Sequence, residues 1–450
     1  ATPLAGSSAA TLAEVPISGG RPRSIVDRVW AADWSPDGTT LAIAHLAGGK
    51  IRLEMPPGKV LHEPVGNLAS VRVSPSGADL AFVEWPQYPD TRGSVVIMDL
   101  ACRGRVRTRE WNSVLEVAWS VDGGEAWFVA SQDAANYELR ALSPEGGERV
   151  VERFPISMRI ADISRSGQAL FVRTHSQIGI RGRLSPKGEE RELGWLDYST
   201  PSDISGDGRT LLFDEEGIGG GPLYAVCVRG LDGSPAVRLG EGHSCALSPD
   251  GKWALAIHYG PPPRLRLLPT GAGEAVSLPA GKIDRYYDAA FLPDGKQVVF
   301  TGAEAGRPQR TFVQDIQGGL PRPITPEAVY GTRVSPDGRF IAVRPFARRE
   351  VRICPIAGGE PIRSGRMQPG DHVFGWTADG RGLFVGRSGA SLSVDRLDLD
   401  TWKRKPWRTF GLADPVGVTI WTLVLTPDGG SYAYGYARHL DDLYLVEGLR

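Results

Sequence analysis

The stretch Trp34-Ser35-Pro36-Asp37-Gly38 decides how this chain is read, because the pattern occurs ten times in 450 residues, this stretch included. Close copies are Val73-Ser74-Pro75-Ser76-Gly77, Trp119-Ser120-Val121-Asp122-Gly123, Leu247-Ser248-Pro249-Asp250-Gly251, Val334-Ser335-Pro336-Asp337-Gly338 and Leu425-Thr426-Pro427-Asp428-Gly429. The remaining copies end at Gly167, Gly208, Gly295 and Gly380, so successive turn glycines stand 39 to 49 residues apart. That period is the length of a four-stranded propeller blade. The residue types explain the turn: proline presets φ, Asp bonds its own backbone, and Gly supplies a positive φ, so the flanking strands fold back as a hairpin. The residue four before each glycine is always large and apolar (Trp34, Val73, Trp119, Ile163, Ile204, Leu247, Phe291, Val334, Trp376, Leu425). This predicts an inner strand packed between neighbouring sheets.

The rest of each repeat follows one plan. A second strand comes after the turn (Leu41-Ala42-Ile43-Ala44, Val298-Val299-Phe300), a third ends in a Gly-rich turn, and a short polar strand closes the unit. Apolar residues alternate with a period of two, and no stretch of a dozen residues carries a capped helical pattern. The expected fold is therefore all-β, a propeller of about ten four-stranded blades. The 57 glycines and 35 prolines suit a chain with that many turns. Residues 1 to 10, rich in Ala, Ser and Gly, are expected to fray. No apolar run approaches the ~18 residues that span a bilayer.

Closure is the open question, since single rings commonly hold four to eight blades. The last repeat is expected to stop after a third strand, Leu443-Tyr444-Leu445-Val446. Two tandem rings are favoured over one ten-bladed ring. The division is set at 1–189, a first segment of four to five blades, and 190–450, a six-bladed second propeller in which Arg191-Glu192-Leu193-Gly194-Trp195 supplies the closing strand.

The recurring Ser-Pro-Asp-Gly-Lys/Arg core, as in Ser248 to Lys252 and Ser335 to Arg339, resembles TolB-type propeller repeats, related in pattern to WD-type blades. The resemblance covers residues 11 to 450. The ending Ser431-Tyr432-Ala433-Tyr434-Gly435-Tyr436, followed by Asp442 to Leu449, is similar to the carboxy-terminal propeller region of bacterial serine/threonine protein kinases. Asp232 to Gly242 and Leu268 to Glu274 resemble that group as well. The resemblance implies a sensor module in the periplasm or outside the cell, tethered in the full architecture by an upstream membrane helix. The chain carries no Gly-rich nucleotide loop, His-Arg-Asp loop or Asp-Phe-Gly, so kinase activity itself is not assigned.

Charge and motifs narrow the function. Lys plus Arg number 51 against 52 Asp plus Glu, so no overall field favours nucleic acid. The basic run Lys403 to Arg408 reads as the solvated edge of an outer strand. No Gly-x-Ser-x-Gly elbow occurs, Gly242-His243-Ser244-Cys245-Ala246 lacks its second glycine, and Gly217 to Pro222 is a hairpin rather than a phosphate cradle. The four cysteines (Cys102, Cys227, Cys245, Cys354) have no metal or disulfide spacing and read as small buried residues. Catalytic residues, metal ligands and cofactors are expected to be none. Eight residues before the turn glycine, repeats six to ten carry His243, Tyr287, Tyr330, His372 and Trp421, with Asp203, Asp288, Arg285 and Arg333 nearby. These rings either plug the channel or form a mouth that recognises a peptide, protein or cell-envelope ligand. The favoured function is non-catalytic recognition. The alternatives are the gating propeller of a serine peptidase without its hydrolase domain, or a propeller glycosidase or lyase.

Overall fold

The computed structural model describes residues 10–47, 50–64, 66–86, 91–101, 104–133, 136–183, 188–230, 234–345 and 348–449. Residues 1 to 9 and Cys102 lie outside them. Among the described residues the only helical element is a 3-10 turn at Ile218–Gly220, and no helix is long and apolar enough to cross a membrane. The strands form antiparallel sheets, of four strands in most cases and built from strands consecutive in the chain, except the sheet that joins strands between Met158 and Glu192 to Val418–Leu425 and Tyr432–Val446.

The repeated turn works as its residue types predict, with one addition. All ten turn glycines have positive φ, +69° at Gly251 and +70° at Gly338 being typical. Asp250 Oδ1 accepts from Lys252 N at 3.1 Å and from Ser248 Oγ at 2.6 Å. Ser248 Oγ in turn accepts from Trp253 N at 2.9 Å, which fixes where the second strand begins. The serine thus ties both strand ends to the aspartate, and these bonds hold the Asp250 carboxyl below its ordinary range.

The chain divides into two compact units, Ala1–His175 with Leu440–Arg450, and Ser176–His439. The division falls at 175/176 and 439/440 rather than at 189/190. Two strands cause the difference, Ala169–Arg183 and Tyr432–Val446, each 15 residues long and each running from one unit into the other.

In the second unit six sheets form a closed ring. Their inner strands are Ser199–Ile204, His243–Leu247, Ile283–Phe291, Val329–Val334, Asp371–Trp376 and Val418–Leu425, and the last packs back against the first. Each of the six interfaces has its own apolar cluster. The sealing cluster joins Ile180, Leu193, Val424 and Ala433 to Ile204, Leu211 and Phe213.

The closing sheet corrects one expectation. Its third strand is formed by residues 176–183, whose Gly179 and Gly182 lie against Tyr436 and Ala433, and not by Leu443 to Val446. Arg191–Glu192 pairs with that strand as the outer edge, as the sequence suggested. Alternation places Tyr434 and Tyr436 on one face, where their hydroxyls donate to Glu190 (2.6 Å) and Glu192 (3.1 Å). The tyrosine-rich ending is therefore a clamp on the closing strands. Residues 440–446 serve the first unit, where Val446 and Leu449 pack beside Phe154 and Phe171.

Candidate functional site

A β-bulge interrupts every inner strand of the second unit, and it decides which side chains are comparable. The irregularity falls between Pro201 and Asp203, Ser244 and Ala246, Tyr286 and Asp288, Tyr330 and Arg333, Val373 and Gly375, and Ile420 and Thr422. Tyr287 and Trp421 are thus the extra residues of their bulges, whereas His243, Tyr330 and His372 sit in the paired ladder beyond them, opposite Ile257, Arg344 and Gly386. A one-residue slip turns a side chain to the other face of a strand. The five aromatic positions are equivalent in sequence count but not in register, and no ring contact joins any two of them among the described residues.

The polar residues separate in the same way. Asp203 accepts from its neighbour Ile204 N and, on the next sheet, from Leu247 N, both at 2.8 Å. Asp288 accepts from Ala289 N at 2.8 Å and from Thr332 Oγ1 of the next sheet. Both carboxylates clasp one sheet to its successor, a structural duty beyond the ligand-orienting one expected of them. Burial pushes the Asp203 carboxyl up to about 6, against the pull of its two N–H donors and of Arg333. Arg285 reaches Asp284 and the carbonyl of Arg307, away from this group. His372 answers to Arg344 and Asp371 instead.

Five of the nine residues act on one another electrostatically: Asp203, His243, Asp288, Tyr330 and Arg333. Tyr330 stands out. Burial of its hydroxyl pushes the phenol pKa up, yet the residue keeps 40% of its surface open to solvent. Cys245, beside Asp288 and Tyr330, is a free buried thiol held well above its ordinary pKa by burial, and Cys227 and Cys354 are free and buried too.

The structure adds a group that spacing did not suggest. Asp214 is the penultimate residue of the strand Thr210–Glu215, Glu216 follows the strand, and His243 opens the next inner strand. Alternation turns Asp214 and Glu216 to one side, while Glu215 turns away to accept from Leu196 N and Ser199 Oγ. His243 Nδ1 lies 2.6 Å from Asp214 Oδ2, and its ring stacks on Tyr259 at 6.2 Å between centroids. Desolvation opposes the imidazolium, but the Asp214 carboxylate outweighs it and raises His243 to about 9. No sequence motif links His243 to two carboxylates 29 and 27 residues earlier, so only the fold brings them together.

No family model matches the sequence, and no curated protein matches it. Solved structures similar to it include TolB from Acinetobacter baumannii, at 19% identity and a TM-score of 0.30, covering 64% of this chain and 66% of that one. An oligogalacturonate lyase in complex with manganese matches at 14% identity and 0.39, over 62% of this chain and 77% of its own. A prolyl endopeptidase structure matches at 14% and 0.36, over 78% of this chain and 51% of its own. The chain thus spans about two thirds of the TolB structure and half of the endopeptidase. These likenesses concern the fold alone.

Proposed function

We propose that this chain is a non-catalytic recognition module that binds a peptide or protein segment at the entry of the six-sheet ring. The observation that carries the reading is Tyr330: a channel plug is buried, whereas Tyr330 stays 40% exposed beside Arg333 and Asp288. Tyrosine offers a large rigid surface with a polar tip, and Arg beside it adds a fork of donors, the residue types that dominate recognition hot spots. The similarity of the carboxy-terminal sequence to kinase-borne propellers supports an extracytoplasmic signalling module as the setting.

Selection of a displayed random-peptide library on the full chain tests this. Enriched peptides should bind Tyr330→Ala at least ten-fold more weakly, while its unfolding free energy stays within about 1 kcal/mol of wild type, as for exposed positions. Failure to enrich any sequence, equal binding by the variant, or a loss of several kcal/mol of stability would overturn the reading.

A further inference from the structure

We propose that Asp214, Glu216 and His243 form a binding site for a divalent transition-metal ion such as Mn²⁺ or Zn²⁺. One ligand atom from each of the three residues lies within 4.8 Å of the other two. Ligands about 2.1 Å from an ion stand about 3 to 4.2 Å apart, so the widest pair closes by well under about 1 Å while Asp214 Oδ2 and His243 Nδ1, now 2.6 Å apart, open by roughly half an ångström to seat all three. An imidazole with two carboxylates is a mixed nitrogen and oxygen donor set, suited to Mn²⁺ or Zn²⁺ more than to the all-oxygen shells of Mg²⁺ and Ca²⁺.

A second observation is the burial of Asp214 and the direction of its free edge. Asp214 is fully buried, and its Oδ1 is already used by Ser244 N at 2.6 Å. Its Oδ2 aims into the cluster, where it pairs with His243 Nδ1 at 2.6 Å. A buried carboxylate is costly unless a cation shares it, and a metal ion held by both groups would take the place of the proton on His243. Ser244 N and the next sheet hold Asp214 in place, and stacking on Tyr259 orients the imidazole, the kind of outer support that fixes metal ligands. Glu216 is fixed through its backbone, whose N–H donates to Tyr198 O at 2.9 Å.

Titration of the full chain with MnCl₂, read by loss of the free-ion electron paramagnetic resonance signal, tests the site, with ZnCl₂ as competitor. Wild type should bind one Mn²⁺ that Zn²⁺ displaces. Glu216→Gln should weaken binding at least ten-fold, and His243→Gln should do the same. Asp214→Asn also unsettles the clasp to Ser244, so Glu216→Gln, which leaves that clasp intact, is the deciding variant. No binding at millimolar Mn²⁺, or equal binding by wild type and Glu216→Gln, would overturn the proposal. Neither result bears on the Tyr330 peptide test, which uses different residues and a different probe.

Discussion

The two units are built from the same repeat, yet one is sealed and the other is not. In the second unit six sheets have six apolar clusters, one for every interface. In the first unit four sheets, with inner strands Arg23–Trp34, Asn67–Val73, Ser113–Trp119 and Met158–Ile163, have three clusters. No cluster joins the fourth sheet back to the first among the described residues. One motif position shows the consequence. Trp119 and Trp376 are 6% and 5% exposed, their indole N–H groups donating to the preceding sheet at Arg72 O and Arg333 O, whereas Trp34 is 50% exposed. The motif supplies the tryptophan, and the preceding sheet supplies its burial.

The largest effect that could break this comparison comes from those tryptophans. Trp376→Ala should cost about 3 to 5 kcal/mol, the range for truncating a buried aromatic. Trp34→Ala should cost less than about 1 kcal/mol, because little packing is lost. Chemical denaturation of the two variants checks the difference. Equal losses would mean that the first unit seals its fourth interface after all.

A smaller contrast lies in the turn glycines. Gly338 and Gly38 both have φ of +70°, so a β-branched residue is strained at either. Only at Gly338 would a Cβ also meet the preceding turn, 3.1 Å from Pro293 Cδ. Gly338→Val should therefore cost roughly 1 to 3 kcal/mol from strain, plus a further loss from the crowded proline, while Gly38→Val shows the strain alone. Identical denaturation midpoints for the two variants would show that sheet-to-sheet contact at the turns adds nothing.

Much of the fold was legible because turn chemistry is local. A Pro-Asp-Gly turn needs only its own residues to form, so ten hairpins and their period could be read directly, and Arg191–Glu192 could be matched to the incomplete last sheet. The split strands were not legible. Alternation runs on through 169–183 and 432–446 without a turn signal, so nothing local marks where each strand leaves one sheet and joins another. The site was less legible still. A bulge shifts register without leaving a residue signature, so counting back from the glycine aligned Tyr287 with His243 although Tyr287 lies in its bulge and His243 in the paired ladder beyond its own. The pairing of Asp214 and Glu216 with His243 depends on neighbouring sheets and has no sequence spacing at all.

The smallest expected effect concerns pH and sharpens the comparison inside the sealed ring. Burial, with Arg344 nearby, holds His372 at about 4, below its ordinary 6.5. The fold thus favours the neutral imidazole. That contribution is fully present above pH 6.5 and is lost as pH falls through about 4, since the unfolded chain takes up the proton first. His372→Gln removes the titrating group while keeping a polar side chain of similar reach. Between pH 6.5 and 4 the variant should lose less stability than wild type, by on the order of 1 to 2 kcal/mol. Hydrogen exchange resolved by peptide separates the units: the relief should show in segments of Ser176–His439 and leave residues 67–131 of the first unit unchanged. If acid opens wild type and variant alike in the second unit, His372 is hydrated at the channel entry, and its ring faces water rather than the packed interior that Arg344 and Phe374 define.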